Sequence, residues 1–222
     1  MAELLAEILQ EIRESIAVKE QLAGTSAQLI ADAAHRIVAS MQNGGKLIVF
    51  GNGGSAADAQ HLSAELVGRY RRDRKALPAI ALTTDSSALT SVSNDYGFDT
   101  VFSRQLEGLG KAGDVVLAIS TSGNSPNVLR AVSLAKKMGI ASIALTGKSG
   151  GKLRAHVDIC LTVPSDSTPR IQESHSLIIH ILSGIVENAM SGEPRVDETQ
   201  ILEPVSKDRV SKDRFPKDKD AA

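Results

Sequence analysis

His61 and Glu65 stand four residues apart in the run His61-Leu62-Ser63-Ala64-Glu65. On an α-helix that spacing puts an imidazole and a carboxylate on one face, about one turn apart. Such a pair can hold a divalent metal or pass protons as base and acid, and the spacing suits either use. Just upstream, apolar Leu47-Ile48-Val49-Phe50 runs into Gly51-Asn52-Gly53-Gly54-Ser55. A buried strand ending in a glycine turn that opens a helix aims several backbone NH groups, and the positive end of the helix dipole, at one point. That arrangement holds an anion. Phosphate binding and chemistry could therefore share residues 47–65.

A second loop points the same way. Ser120-Thr121-Ser122-Gly123-Asn124-Ser125 follows the apolar run Val115 to Ile119 and precedes Pro126. Four hydroxyls and a glycine beside fresh helix NH groups can saturate a phosphate monoester without Lys or Arg. A serine cap needs only one of those hydroxyls. In open α/β sheets ligands bind beyond the carboxyl ends of the strands, where both loops can reach. Ser93-Asn94-Asp95-Tyr96-Gly97 reads as a polar turn on the same rim. The glycine turn partly matches a dinucleotide fingerprint, but the ribose-binding acid about twenty residues on is missing, and no Gly-Lys-Ser/Thr follows to make a nucleoside triphosphate loop.

The elements that must position these groups are legible from periodicity. Leu5, Ile8, Leu9, Ile12 and Ile16 mark one amphipathic helix; after Gly24-Thr25, Leu29, Ile30, Ala33, Ala34, Ile37, Val38 and Met41 mark a second, ending at Asn43-Gly44-Gly45. Five short apolar runs, at 47–50, 79–82, 115–119, 141–145 and 159–163, alternate with helical segments. This predicts an α/β fold with a five-stranded parallel sheet flanked by helices, a flavodoxin-like or Rossmann-like three-layer sandwich preceded by N-terminal helices. A last long helix is expected over about 170–190. Residues 1–190 read as one domain. In 191–222, Val-Ser-Lys-Asp-Arg occurs twice in succession, and the charged, apolar-poor composition predicts a disordered tail.

Composition narrows the function classes. Across 222 residues, 25 basic side chains face 26 acidic ones, so no broad electrostatic footprint for nucleic acid or membrane exists. With no Trp, two Tyr and four Phe, there are few platforms for stacking bases. No run reaches membrane-spanning length, the first residues lack a basic signal-peptide start, and the lone Cys160 in an apolar run argues against a disulfide framework; a soluble, cytoplasmic protein is expected. His35, His156 and His175 have no partner motif and read as structural or solvated.

Together, Phe50 to Ser55 and Ser120 to Ser125 resemble the sugar isomerase (SIS) domain. With His61 to Glu65, Asn94-Asp95, Leu145-Thr146-Gly147, Arg170 to His175 and His180, the chain from about residue 5 to 190 resembles the phosphoheptose isomerases. The resemblance implies conversion of sedoheptulose 7-phosphate to D-glycero-D-manno-heptose 7-phosphate, the first step of activated heptose biosynthesis for bacterial surface polysaccharide. It implies zinc at His61, Glu65, Gln172 and His180, with Glu65 and His180 as acid/base pair. It also implies substrate contacts at Asn52, Gly53, Gly54, Glu65, Asn94, Asp95, Ser120, Thr121, Ser122, Ser125 and Gln172, in a homotetramer. The alternatives are an isomerase of another ketose phosphate, or a non-catalytic SIS protein that binds a replication initiator protein, a group lacking the full acid/base set.

Ketose–aldose interconversion moves a proton between C1 and C2 through an enediol, which needs a base, a reciprocal acid and a group that holds the developing oxyanion. Glu65, His180 and a metal would supply all three. Eight helical residues rise about 12 Å, so one helix can hardly bring both Gln172 and His180 to one ion. Unless Gln172 lies outside the helix, a site using both should draw one from a neighbouring subunit.

Overall fold

Alternate residues of five short strands point to opposite faces of one sheet, and both faces are covered. The computed structural model describes residues 1–191; the expectation for the charged tail lies outside the described residues. The strands β1 (Leu47–Gly51), β2 (Ala79–Ala81), β3 (Val115–Ser120), β4 (Ala141–Gly147) and β5 (Ile159–Val163) pair in parallel in the order β2-β1-β3-β4-β5. All five expected strands are present. Their continuous apolar runs suit a sheet with no solvent face.

On one face, Leu47, Val49, Leu117, Ile119, Ile143 and Leu145 pack under three helices: α1 (Ala2–Gln42), α2 (Gly54–Val67) and α6 (Thr168–Met190). On the other, Ile48, Phe50, Val116, Ala118 and Ala144 pack under α4 (Val101–Leu109) and α5 (Pro126–Lys137). The strand period of two thus divides each run between two cores. Between β2 and α4 lies α3 (Ser86–Tyr96).

Two local expectations are corrected. Gly24-Thr25 does not divide two helices; α1 runs unbroken for 41 residues. A glycine inside a helix costs only about 1 kcal/mol. Here the Thr25 hydroxyl donates to Gln21 O at 3.0 Å, and Leu22, Ser26 and Ile30 form a buried stripe straight through the break. Tertiary packing outweighs the local signal. Second, residues 93–96 are not a turn but the last helical turn of α3. Its start is capped by Asp85, whose carboxylate accepts from Ala88 N at 2.9 Å, and its end by Gly97 at φ 83°.

Arg170 pins the first helix to the last: its Nη2 lies 3.0 Å from Glu11 Oε2 and 2.7 Å from Glu173 Oε1. Among the described residues no helix is long and apolar enough to cross a membrane.

Candidate active site

The direction in which the chain adds strands reverses between β1 and β3. From β1 it moves to the β2 edge, and from β3 toward β4 and β5. Crevices for ligands open at such switch points, outside the strand carboxyl ends. Since β1 and β3 pair from Leu47↔Val115 to Gly51↔Ile119, the glycine turn and the hydroxyl loop leave the sheet side by side. Asn52 and Asn127 lock the two together by a reciprocal amide pair, each Nδ2 donating to the other's Oδ1 at 2.9 Å.

The glycines of the turn have distinct reasons. Gly53 sits at φ 57°, ψ −123°, a conformation that disfavours a side chain. A Cβ on Gly51 would meet Ile119 O and Ser55 Cβ, each at 2.8 Å. A Cβ on Gly54 would overlap the Gln172 amide, so Gln172 rests directly on the start of α2. Gly53 and Gly54 are both exposed, open to a ligand.

In the second loop, Ser120 is buried, Thr121 and Ser125 are half-buried and Ser122 is exposed. Ser125 occupies the N-cap position of α5 but makes no side-chain cap bond; its hydroxyl lies 3.1 Å from that of Ser120. The helix start is thereby left for a ligand, with Pro126 in its first turn. Gly123 lies at φ 63°, and its backbone packs so closely on Gly150 that a Cβ would overlap the carbonyl there. Asn124 Oδ1 accepts from Lys152 N at 3.0 Å, and Gly123 O from Leu153 N at 3.0 Å. The loop therefore has a rigid floor.

The reactive groups lie further along α2, where it meets α6 in a run of paired positions. Gln172 meets Gly54; Ser176 Oγ donates to Asp58 Oδ1 at 3.1 Å; His180 meets His61 and Glu65; and in the turn just after α2, Tyr70 meets Gly184. His61 Nε2 and Glu65 Oε1 are 3.1 Å apart. The His180 ring packs edge-on against His61, centroids 4.8 Å apart at 81°, and stacks on Tyr70 at 5.7 Å and 22°. Potential ligand atoms of His61, Glu65 and His180 all lie within 4.8 Å of one another. Two imidazoles and a carboxylate are a donor set of catalytic zinc sites that keep one position open. Burial raises the Asp58 carboxyl above its ordinary value, against the lowering effects of the Ser176 bond and the His61 charge.

The structure does not gather every expected residue at one point. Gln172 lies inside α6, two turns before His180, and sits with the glycine turn rather than with the His/Glu/His group. Asn94 and Asp95 are exposed on α3 and, among the described residues, bond to each other, Asn94 Nδ2 donating to Asp95 Oδ1 at 2.8 Å. His175 is fully buried; burial lowers its pKa to about 4, opposed by the bond between its Nε2 and Thr146 O at 3.1 Å.

Several participants escaped the sequence reading. Asn127 is hidden behind Pro126 in a helix, and Asp58 looks like a solvated helix charge. Arg74, in the charged run Arg71-Arg72-Asp73-Arg74-Lys75, has its Nε 3.1 Å from Glu187 Oε1, and both side chains are buried. Burial alone would raise the Glu187 carboxyl. The backbone NH groups of Tyr70, Arg71 and Arg72, with the Arg74 charge, outweigh it and hold the group below its ordinary value. The available signal was Glu187 itself, seven residues beyond His180 and so on the same face of α6.

A family model for the SIS domain matches residues 12–147. The phosphoheptose isomerase of Pelobacter propionicus is 53% identical over 187 residues, covering 84% of this chain and 99% of that protein. The solved phosphoheptose isomerase of Neisseria gonorrhoeae is 45% identical with a TM-score of 0.80, covering 83% of this chain and 99% of that one. That of Francisella tularensis is 43% identical with a TM-score of 0.81, covering 83% and 98%. With the family model spanning residues 12–147 and relatives about half identical over nearly their whole length, the chain belongs to the phosphoheptose isomerase family of SIS-domain proteins.

Proposed function

We propose that the protein isomerises sedoheptulose 7-phosphate to D-glycero-D-manno-heptose 7-phosphate, the first step of activated heptose biosynthesis. The observation that carries this reading is the meeting of Glu65 and His180, from two different helices, beside His61. A carboxylate and an imidazole at one point are what a 1,2-proton shift requires. Glu65 takes the proton from C1 as the C2 carbonyl oxygen receives one from His180, giving the enediol. Glu65 then returns its proton to C2, and His180 takes the O1 proton as the aldehyde forms. The glycine turn, the hydroxyl loop and Gln172 hold the phosphate, and Asn94 and Asp95 contact the sugar from the rim.

His61, Glu65 and His180, whose potential ligand atoms lie within 4.8 Å of one another, would hold a zinc ion, with Gln172 drawn from a neighbouring copy as the fourth ligand. A metal held there would supply Lewis-acid stabilisation of the oxyanion and so take over the oxygens from His180, whose coordinated nitrogen would carry no proton to donate.

The active unit is an oligomer with shared sites, a homotetramer. Gly54 and Glu65 are eleven residues apart on α2, a rise of about 16 Å, which is long for one sugar phosphate to bridge within a single chain. Gln172 is likewise about 12 Å of helix rise from His180. A second copy can bring phosphate loop and catalytic pair together. The exposed stripe of Leu5, Ile8, Ile12 and Ile16 on α1, and an apolar groove of about 250 Å³ between α1 and α6 lined by Leu22, Ile30, Leu177, Ile181 and Ile185, support such an assembly. We place its work in the cytoplasm, in keeping with a lone free cysteine and, among the described residues, no helix long and apolar enough to cross a membrane.

The test is to incubate purified protein with sedoheptulose 7-phosphate and follow the aldose product, alongside Glu65→Gln and His180→Gln. Loss of general acid–base catalysis lowers kcat by roughly 10²–10⁴-fold. Full activity in Glu65→Gln would sink the assignment. Activity surviving complete chelation would keep the isomerase and remove the zinc.

A further inference from the structure

We propose that Tyr70 is a positioning residue for His180, held in place by Glu187 and Arg74; this rests on the catalytic reading of Glu65 and His180. Among the described residues no hydrogen bond reaches a ring nitrogen of His180. Rotation of an imidazole about its last torsion is broad and roughly two-fold, so packing must set its plane. Two rings do so. His61 meets it edge-on, and Tyr70 lies nearly parallel at 22°. The Arg71 guanidinium also lies over the Tyr70 ring, 4.8 Å from its centroid.

What holds Tyr70 is unusual for a surface turn. A carboxylate buried away from water costs several kcal/mol unless it is fully paired. The chain places one, Glu187, on α6 and satisfies it with consecutive backbone NH groups of Tyr70, Arg71 and Arg72 at 2.9, 2.8 and 3.2 Å. Three successive residues are thereby fixed to the helix that carries His180. Arg74 completes the clasp: beside its ion pair with Glu187, Nη2 donates to Glu65 O and Nη1 to Leu66 O, both at 2.9 Å. The same guanidinium thus closes the last turn of α2, where Glu65 sits. Gly184, one turn beyond His180, makes room for the ring; a Cβ there would stand 3.3 Å from Tyr70 Cε1. A turn needed only to connect α2 to β2 calls for none of this, whereas a turn that fixes the plane of a proton-transferring ring does.

The test compares Tyr70→Leu, Tyr70→Phe and Gly184→Ala with the parent and with Glu65→Gln, using kcat, KM and thermal unfolding. A misplacement of about 1 Å can cost up to 10²-fold, so Tyr70→Leu is expected to lose roughly 10–100-fold in kcat with KM within about twofold of the parent. Tyr70→Phe keeps the ring and restores kcat to within about threefold. Gly184→Ala presses on the ring and shifts it by only a few tenths of an ångström, so its kcat falls less than that of Tyr70→Leu, to about half the parental value, which keeps the test open if Tyr70→Leu fails to fold. A Tyr70→Leu or Gly184→Ala protein with parental kcat, or a Tyr70→Phe protein as impaired as Tyr70→Leu, overturns the inference. Full activity in Glu65→Gln would instead overturn the catalytic reading, and this inference with it.

Discussion

Gln172 and His180 stand two turns apart on one helix, the first against Gly54 at the anion-binding turn and the second against His61 and Glu65. The helix α6 therefore connects the two ends of the chemistry, and α2 runs beside it with the glycine turn at one end and the reactive pair toward the other.

Gly54→Ala tests the first contact. The new Cβ overlaps the Gln172 amide, which must swing away from the turn. Replacing a helical glycine gains about 1 kcal/mol of helix propensity, and repacking costs about 1–3, so unfolding free energy changes by no more than about 2 kcal/mol. Loss of one charge-assisted contact to the phosphate is worth about 1.5–3 kcal/mol, so KM for the sugar phosphate rises roughly tenfold to a hundredfold. Steady-state kinetics beside urea unfolding checks both halves; an unchanged KM would remove Gln172 and Gly54 from the phosphate site.

Ser125→Ala separates a cap from a ligand contact. An ordinary N-cap serine is worth about 1 kcal/mol to its helix. Here the hydroxyl faces Ser120 and makes no cap bond. The expected stability loss is therefore only a few tenths of a kcal/mol, with KM raised about tenfold through loss of a hydrogen bond to a charged group. A loss of ~1 kcal/mol with unchanged KM would return Ser125 to an ordinary cap.

The sheet was readable because each strand is a short β-branched run between turn signals, as at Val115 to Ile119, and local pattern and burial agree there. The two loops were readable because Gly53 and Gly123 announce backbone that a side chain would strain. The unbroken α1 was not, because Gly24 signals a break that only the buried stripe through Leu22, Ser26 and Ile30 overrides. Nor was α3, which buries no residue and is held by its caps. At the site, the i,i+4 pair was visible and the family resemblance joined His180 to it, but the position-by-position pairing of α2 with α6 was not visible. Asp58–Ser176 and the Glu187 clasp depend on residues more than a hundred positions apart, and no local period encodes such a meeting.

His175 makes stability depend on pH. Its folded pKa, near 4, lies below the 6.5 of an unfolded imidazole because burial penalises the charged ring, and Nδ1 has no partner among the described residues. As pH falls from 6.5 toward 4 the unfolded chain takes up a proton that the folded chain refuses, so stability is lost in that window and regained above it. The difference amounts to about 3 kcal/mol at the acid end. Urea unfolding of the parent and of His175→Gln at pH 7 and pH 4.5 reads it: the parent loses more stability than the variant, and equal losses would refute the assignment.

The exposed stripe on α1 bears on whether the site is shared. Leu5, Ile8, Ile12 and Ile16 are each about half exposed in the single chain, at 56, 47, 51 and 51%. An apolar row of this length marks an interaction surface, and burying each such side chain is worth up to about 1.5–3 kcal/mol. Ile12→Glu with Ile16→Glu should therefore dissociate the oligomer, read as a fall in mass by light scattering, while the far-ultraviolet circular dichroism of the α/β domain remains. If phosphate loop and catalytic pair come from different copies, activity falls with the mass. Mixing Gly54→Ala with Glu65→Gln, each impaired alone, should then restore part of the activity after subunit exchange, because some sites pair an intact loop with an intact Glu65. Sites complete within one chain predict no recovery, since every chain in the mixture then carries one defect in its own site.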